Sequence, residues 1–188
     1  MRLILASHNP HKAKEFERLL PGFEVVPYDG ELPEETGETF RENAELKAVH
    51  VHSALGGGAW VLADDSGIEA SALGGRPGVR SARFAGEQAT DEQNLVALLA
   101  AVEHEPDHGV AYAAELVLIA PHGRRLYARG ELRGTLADSP RGDGGFGYDP
   151  AFVPEGETRT VGEMSAAEKD AISHRARAAA SLLAQLGE

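Results

Sequence analysis

Apolar runs and helical patterns alternate along the first third of the chain. Residues 3–6 form a short apolar run typical of a buried strand. Asn9 followed by Pro10 is typical of a helix cap and a first helical residue. We expect that helix to end near Leu20, where a proline and a glycine follow, and residues 24–26 predict a second strand. The chain therefore opens with the pattern strand, helix, strand.

The next helical pattern begins at a capping box. Thr39 and Glu42 have the spacing at which each side chain caps the other residue's backbone, and three glycines end the helix near Leu55. Asn43 and Lys47 lie one turn apart beside the apolar face of this helix. A lysine in that position is more often extended towards solvent than turned into a polar cleft. Both interpretations stay open at this point.

A third apolar run predicts a buried strand that ends in two carboxylates. Residues 60–63 are followed directly by Asp64 and Asp65, at the edge where open α/β sheets usually bind ligands. Successive strand residues point to opposite sides, so one carboxylate can face a cleft. With Glu34 or Glu35 from the acidic loop, the pair would suit Mg²⁺, although these turn-forming residues are equally compatible with an ordinary turn.

The second half continues the mixed pattern of helices and strands. In chain order, we predict a capped helix from Thr90, antiparallel strands at 111–120 and 125–132, an irregular loop at 142–154, a short capped helix from Ser165, and a last helix with its apolar face at Ala179, Leu182, Leu183 and Leu186. The sequence contains no internal repeat or low-complexity tract. We therefore predict a single α/β domain over residues 1–188, with a mixed sheet flanked by helices.

Composition and charge narrow the classes of function. A chain of 188 residues fits one sizeable domain, and its net charge of -12 at pH 7 argues against nucleic acid or an anionic membrane as a partner. The absence of cysteine excludes disulfides, thiolate metal sites and cysteine nucleophiles. No apolar run has the length of a signal peptide or a membrane span, so we expect a cytoplasmic protein.

The loop after the first strand has features of a phosphate site. Residues 7–12 read Ser-His-Asn-Pro-His-Lys and lead into a helix, whose N-H groups and positive dipole end attract anions. Lys12 adds a mobile positive charge. A capped turn with a solvated lysine is the commoner explanation of such a segment, so the phosphate interpretation depends on further residues.

Neighbouring residues rule out several other functional motifs. Residues 104–108 have the spacing of a zinc protease, but Pro106 interrupts the helix that this site requires. Residues 142–147 have the glycine spacing of a dinucleotide site, yet prolines follow where the helix should be. Ser66 is not in the glycine-flanked turn of a serine hydrolase. By itself, the segment 173–175 is typical of polar surface at the start of a helix.

A series of short segments spans nearly the whole chain: Ser7 to Lys12, Glu35-Thr36-Gly37, Phe40 to Ala44 with Lys47-Ala48, Ala63 to Gly67, Ala72 to Arg83, Phe146 to Pro150, Glu163-Met164, Glu168-Lys169 and Ile172 to Arg175. In this order they resemble the inosine/xanthosine triphosphate pyrophosphatases, the Ham1-like enzymes that act on non-standard purine nucleotides. Three of the four lysines, Lys12, Lys47 and Lys169, fall on positions where that family contacts its substrate.

The resemblance implies both a fold and a reaction. The implied fold is an α/β protein with two lobes around a central cleft, assembled as a homodimer. The implied reaction is the Mg²⁺-dependent hydrolysis of ITP, dITP and XTP between the α and β phosphates, which gives a monophosphate and pyrophosphate. The partner is then a small nucleotide, with no nucleic acid and no membrane.

The resemblance also assigns roles to individual residues. It implies that the triphosphate is held by Ser7, His8, Asn9, Pro10, His11, Lys12 and Lys47, and that Mg²⁺ is held by Glu35 and Asp65. It implies that Asp65 is the general base and that Ser66 contacts the substrate. The base pocket is implied to consist of Phe146, Gly147, Tyr148 and Asp149, closed by Lys169, His174 and Arg175. His8 and Asp170 depart from the usual pattern, which has glycine and asparagine at these positions.

Two other functions are compatible with a nucleotide site. One is a phosphohydrolase that releases orthophosphate, although the common P-loop motif is absent from the sequence. The other is a nucleotide sensor without catalysis, for which the paired carboxylates Asp64 and Asp65 would be unnecessary. The identity of the released phosphate separates the three possibilities.

Overall fold

The computed structural model describes residues 1–187 and contains a six-stranded sheet and five α-helices within them. The strands are β1 (Arg2–Leu5), β2 (Glu24–Pro27), β3 (Trp60–Ala70), β4 (Gly109–Ile119), β5 (Arg125–Leu136) and β6 (Phe152–Pro154), in the sheet order β2-β1-β3-β4-β5-β6. The helices are α1 (Pro10–Leu19), α2 (Phe40–Ala54), α3 (Asp91–Val102), α4 (Ala166–Ile172) and α5 (His174–Leu186).

The sheet is mixed, which confirms the predicted α/β class. β1 runs parallel to both β2 and β3, whereas β5 and β6 are antiparallel. β4 and β5 are neighbours joined by residues 120–124, a connection too short for a parallel crossover, so they also run antiparallel. None of the helices in residues 1–187 combines the length and apolar character that crossing a membrane requires.

The chain divides into two compact units. Unit 1 comprises Met1–Asp65, Ala114–Gly130 and Arg175–Glu188, and unit 2 comprises Ser66–Ala113 and Glu131–His174. Unit 1 thus contains β1, β2, α1 and α2, and unit 2 contains β6, α3 and α4. The single domain over residues 1–188 stays a prediction.

Unit 1 buries both faces of its part of the sheet. On one face, alternate strand residues such as Leu5 and Leu62 pack with Phe16 of α1 and Leu182 of α5. On the other face, their strand neighbours pack with the small residues of α2, such as Ala44. This burial is what the continuous apolar runs predict, because a strand covered on both faces needs no polar alternation.

Unit 2 has its own apolar core. Leu95, Leu98 and Val102 of α3, the apolar residues that the helical period predicts, pack there with Ile68 and Phe152. The capping boxes at the starts of α2, α3 and α4 are all present with both of their hydrogen bonds. Local sequence therefore sets where these three helices begin.

Two strand predictions are wrong. β3 does not end before Asp64 but continues to Ala70, so neither an ordinary turn nor a strand end lies at these carboxylates. Its continuation is buried in unit 2, where Ile68 N donates to the Ser81 hydroxyl at 2.9 Å. The chemistry of an Asp-Asp-Ser-Gly turn is overridden by this tertiary contact.

The second error is the short strand β6, which lies in the segment predicted to be an irregular loop. It pairs with β5 in the register Gly134↔Pro154 and Leu136↔Phe152. A side chain at Gly134 would collide with the Val153 carbonyl, so the glycine permits the close approach. A proline near the end of a three-residue edge strand gave too weak a sequence signal.

Candidate active site

The candidate site in unit 1 lies where β1 ends and β3 continues. The two strands pair as far as Leu5↔Leu62, and Ala6 N still donates to the Leu62 carbonyl at 2.7 Å. Beyond this point the chain leaves β1 and enters α1 at Pro10, while β3 runs on through Asp64 and Asp65. The predicted ligand edge is therefore formed by the end of β1 rather than by the end of β3.

Asp64 is enclosed by positive charge. Its fully buried carboxylate binds Lys12 Nζ at 2.6 Å and Arg175 Nε at 3.4 Å. Arg175 Nη1 in turn binds the buried Glu15 carboxylate at 2.9 Å. Burial alone would raise the pKa of Asp64, but Lys12 and Arg175 outweigh it and lower that pKa well below its usual range. The Asp64 carboxylate therefore stays ionised and is held in buried ion pairs.

Asp65, the next residue, has the opposite electrostatic surroundings. Burial raises the pKa of its carboxyl group above the usual value, although the nearby Lys47 and Lys12 act in the other direction. Asn43 Nδ2 donates to Asp65 Oδ2 at 3.1 Å, and Lys47 Nζ lies 3.4 Å from Oδ1. A carboxylate that is oriented by an amide and has an increased proton affinity can accept a proton from water.

Lys47 joins the acidic loop to β3. Its ammonium group donates to Glu35 Oε1 at 2.6 Å and to the Asp64 carbonyl oxygen at 3.0 Å. Burial would lower the pKa of Lys47, but the attraction of Asp65 and Glu35 outweighs it, and the pKa is raised. The interpretation of Lys47 as a solvent-extended lysine is wrong, since only 6% of the residue is exposed.

The acidic loop that carries Glu35 is fastened by hydrogen bonds from three side chains. His8 Nε2 donates to the Gly30 carbonyl at 2.9 Å, and His50 Nε2 donates to the Glu31 carbonyl at 3.0 Å. Asn43 Oδ1 accepts from Gly37 N at 2.8 Å. Asn43 therefore connects the loop with Asp65, and Glu35 rather than Glu34 is the residue that contacts Lys47.

Residues 7–12, the last three of which begin α1, form the predicted cap. Asn9 Oδ1 accepts from His11 N at 2.8 Å and from Lys12 N at 3.3 Å, and Ser7 Oγ accepts from Asn9 N at 3.1 Å. The N-H groups of His11 and Lys12 are thus already bonded to the Asn9 side chain. Phosphate binding by Ser7, His8, Asn9, Pro10, His11 and Lys12 stays a prediction, and it would require the substrate to compete with this cap and with the Lys12–Asp64 ion pair.

A second cluster lies in unit 2 around Asp149. Its buried carboxylate accepts from Lys169 Nζ at 2.8 Å, from Tyr112 Oη at 3.1 Å and from Phe146 N at 2.9 Å. Lys169 Nζ also lies over the Phe146 ring, 4.5 Å from its centroid. The Asp149 side chain therefore fixes the positions of the lysine and of the aromatic ring.

Stacked rings continue this cluster. Tyr112 stacks on Phe152 with centroids 4.5 Å apart and on His174 with centroids 4.8 Å apart. Tyr148 points into unit 2, where its hydroxyl donates to the Ser81 carbonyl at 2.7 Å, and Gly147 N donates to Asp91 Oδ2 at 3.0 Å. Phe146 is thus the partly exposed aromatic residue of the predicted base pocket.

The segment 173–175 is not polar surface, contrary to the prediction from that segment alone. Ser173, His174 and Arg175 are all buried, with exposures of 2%, 3% and 4%. His174 belongs to unit 2, and Arg175 begins a segment of unit 1. Their contacts differ accordingly, since His174 stacks on Tyr112 whereas Arg175 pairs with Asp64 and Glu15. Ser66 directly follows Asp65 in β3 and is the first residue of unit 2.

Four residues at the two clusters were not assigned roles from sequence: Glu15, Asn43, Asp64 and Tyr112. Asn43 and Asp64 gave signals, because one lies a turn before Lys47 and the other precedes Asp65. Glu15 lies three positions after Lys12, but this spacing does not reveal a buried ion pair. Nothing in the sequence around Tyr112 distinguishes it from an ordinary core residue of a strand.

The donor set in unit 1 limits the kind of metal that the site can hold. Within residues 1–187, no three or more of the His, Cys, Asp and Glu side chains form a group arranged for a metal ion. Glu35 and Asp65 nevertheless converge on one positive group, the Lys47 ammonium. Two carboxylates suit a hard cation that keeps several waters and takes further oxygens from a phosphate. They do not suit a cation that needs a closed protein cage.

The fold and this site describe an α/β protein whose unit 1 gathers buried carboxylates and lysines suited to phosphate chemistry. The chain belongs to the Ham1 family, which it matches over residues 3–185. It is 49% identical over 191 residues to the dITP/XTP pyrophosphatase of Symbiobacterium thermophilum, with 98% of this chain and 94% of that relative covered. The dITP/XTP pyrophosphatase of an Exiguobacterium species is 44% identical over 192 residues, with 99% and 97% covered.

A solved structure agrees with this assignment. The HAM1 protein from Coxiella burnetii is 37% identical and superposes with a TM-score of 0.89, over 100% of this chain and 98% of that one. Family and fold were therefore both predicted correctly from the sequence.

Proposed function

We propose that this protein hydrolyses non-standard purine nucleoside triphosphates such as ITP, dITP and XTP to the monophosphate and pyrophosphate. The names of the relatives and the membership in the Ham1 family support this reaction class. The observation that carries the proposal is the pair Asp64 and Asp65. Their pKa values are shifted in opposite directions, while Lys47 and Glu35 lie beside Asp65.

Asp65 is the general base in this proposal. A water molecule gives a proton to the Asp65 carboxylate while the water oxygen attacks the α-phosphorus. The bond from that phosphorus to the leaving pyrophosphate breaks. The raised pKa of Asp65 favours proton uptake, and the Asn43 amide holds the carboxylate in a fixed orientation. Asp64 is a poor base for this step, because Lys12 and Arg175 lower the pKa of its carboxyl group and bind the carboxylate.

Glu35 and Asp65 are the proposed Mg²⁺ ligands. The residues fit such an ion, because both carboxylates already converge on one cation, the ammonium group of Lys47. When bound, Mg²⁺ would neutralise charge on the phosphates and polarise the anhydride. Lys12 and Lys47 would add positive charge for the triphosphate, which a protein of net charge -12 must supply locally.

The cluster in unit 2 is the proposed recognition element for the base. Phe146 offers an aromatic face, and Lys169 offers N-H donors fixed by Asp149. Donors of this kind suit the 6-keto oxygen of inosine and xanthosine. His174 and Arg175 complete the proposal made from the resemblance. Lys169, His174 and Arg175 are all buried, so substrate would reach them only through a change in their present contacts.

The test is a product analysis of ITP hydrolysis, with separate assays for pyrophosphate and orthophosphate. We expect inosine monophosphate and pyrophosphate in equal amounts, and we expect activity to be lost in excess chelator and restored by Mg²⁺. Orthophosphate as the first product would favour the phosphohydrolase alternative. Binding of ITP without turnover would favour the sensor.

The resemblance extends the proposal to assembly and location. We propose a homodimer in the cytoplasm, which size-exclusion chromatography with light scattering and fractionation of cells would test. A monomer at micromolar concentration would contradict the assembly without affecting the proposed reaction.

A further inference from the structure

The two proposed metal ligands, Glu35 and Asp65, both contact the ammonium group of Lys47. Its Nζ atom lies 2.6 Å from Glu35 Oε1 and 3.4 Å from Asp65 Oδ1, and it also donates to the Asp64 carbonyl oxygen at 3.0 Å. All three acceptors belong to unit 1, and the lysine itself is buried. The position resembles a cation site that is filled by a side chain.

A divalent cation and this ammonium group cannot occupy the same position. Mg²⁺ approaches its oxygen ligands to about 2.0–2.1 Å, so an ion bound by the two oxygens that face the lysine, Glu35 Oε1 and Asp65 Oδ1, would overlap with Lys47 Nζ. Two positive groups so close together would also repel each other strongly in a buried environment. The lysine must therefore move away when the ion enters.

We propose that Lys47 is a positioning residue that holds Glu35 and Asp65 in place of the cation, and that the incoming cation displaces it. The proposal rests on the metal ligands assigned in the proposed function. It goes beyond them because it assigns Lys47 a second state, in which the ammonium group is released from both carboxylates.

Displacement predicts how the cation and the substrate cooperate. Without a phosphate, the released ammonium group would lose two carboxylate partners and would keep only the Asp64 carbonyl oxygen. A triphosphate oxygen would replace those partners, so cation and substrate should each strengthen the binding of the other. Binding of the cation alone should accordingly be weak in the wild-type protein.

The experiment measures Mn²⁺ affinity without nucleotide by electron paramagnetic resonance, using Mn²⁺ as the probe. Lys47→Met removes the competing group, and we expect it to tighten Mn²⁺ binding by about tenfold or more, a typical coupling between sites. Lys12→Met is the matched control, because Lys12 also acts electrostatically on Asp65 but binds Asp64 instead. We expect it to change the affinity by no more than about threefold, as a purely electrostatic effect would. Equal tightening in both variants would overturn the displacement.

A second measurement needs no substitution and remains available if a variant does not fold. The chain contains four lysines, so selective isotope labelling gives four side-chain signals for nuclear magnetic resonance. Mg²⁺ at saturation should shift the Lys47 signal strongly and leave the Lys14 and Lys169 signals in place. A Lys47 signal that does not move while the cation binds would contradict the proposal.

Glu35→Gln separates this inference from the proposed function. Loss of Mn²⁺ binding in this variant supports the ligand assignment, whatever Lys47 does. Unchanged binding would show that Glu35 is not a ligand, and would contradict both the assignment of Glu35 and Asp65 as metal ligands and the displacement of Lys47. Weakened binding in Glu35→Gln combined with equal effects of Lys47→Met and Lys12→Met would overturn the displacement alone.

Discussion

Asp64 and Asp65 have the same side chain and adjacent positions in β3, yet their neighbours give them opposite proton affinities. Lys12 and Arg175 hold Asp64 ionised, whereas burial dominates at Asp65 and raises its pKa. Paired groups whose surroundings separate their pKa values commonly divide catalytic and structural roles. The alternation of a strand makes this division possible, because it turns the two side chains in opposite directions.

The division predicts different outcomes for the two amide substitutions. Asp64→Asn removes the buried anion that Lys12 and Arg175 share, and should lower the free energy of unfolding by about 3–5 kcal/mol, the usual cost of breaking a buried ion pair. Asp65→Asn removes a charge that burial disfavours, so its melting temperature should stay the same or rise. Turnover of ITP in Asp65→Asn should nevertheless fall by about a hundredfold or more, the scale of a lost general base.

Thermal unfolding and steady-state kinetics on both variants check this prediction. A folded Asp65→Asn variant with near-normal turnover would remove Asp65 as the base. Equal loss of stability in both variants would contradict the distinction between a framework carboxylate and a catalytic one.

At single residues, the sequence predicts which side chains belong to the candidate site better than it predicts their contacts. Asp65, Glu35 and Lys47 are among the predicted site residues, and the structure brings these three together, although their functional roles stay predictions. The buried Glu15–Arg175 pair could not be foreseen, because it joins residues 160 positions apart through tertiary packing. A motif supplies the identity of such a residue but not its partner.

Among the elements, α2 links local sequence to the site most directly. Its capping box fixes where the helix begins, and the helical period then places Asn43 and Lys47 on the side that faces Asp65. Glu42 Oε2 accepts from Thr39 N at 3.1 Å, and Thr39 Oγ1 accepts from Glu42 N at 3.2 Å. An error in the start of this helix would therefore displace two site residues.

Thr39→Ala tests this link, with Thr90→Ala as the matched control. Thr90 forms the same capping box at the start of α3, which carries none of the proposed site residues. Each substitution should lower the free energy of unfolding by about 1 kcal/mol, the typical value of a helix cap. Only Thr39→Ala should also reduce kcat/KM for ITP.

Urea denaturation and kinetics give both quantities. A similar loss of kcat/KM in Thr90→Ala would show that general destabilisation, rather than the position of α2, is responsible.

Secondary-structure elements can be predicted from the sequence where neighbouring residues determine their ends. Caps and breakers set the starts of α1, α2, α3 and α4, and these were predicted correctly. The predicted β3 ends too early, and β6 is not predicted at all. The length of a strand depends on its neighbouring strands and on tertiary hydrogen bonds such as that from Ile68 N to the Ser81 hydroxyl. A single sequence does not contain those partners in readable form.

Over the whole molecule, acidic residues outnumber basic ones by 30 to 18, and few of the basic residues are lysines. The chain has a net charge of -12 at pH 7 and four lysines, of which Lys47 and Lys169 are buried and Lys12 is ion-paired. Long-range attraction therefore does not bring an anionic substrate to the protein. In the proposed function, affinity for a triphosphate comes from local positive charge, including these lysines and a bound cation, and selectivity comes from contacts with the base.

Selectivity for the base is the property that would define the protein's role in the cell, and Lys169 is the residue that tests it. Its ammonium group is held by Asp149 against the Phe146 ring. In the proposed function it donates to the 6-keto oxygen, whereas adenine presents an amino donor at that position. We expect kcat/KM for ITP, dITP and XTP to exceed that for ATP by about 10⁴, since an unmatched buried donor is costly. Lys169→Met should reduce this ratio to about tenfold, because the unmatched donor is gone. Lys14→Met, at an exposed lysine of α1, should leave the ratio unchanged. Comparable values for ATP and ITP in the wild-type protein would contradict a role in removing non-standard purine nucleotides.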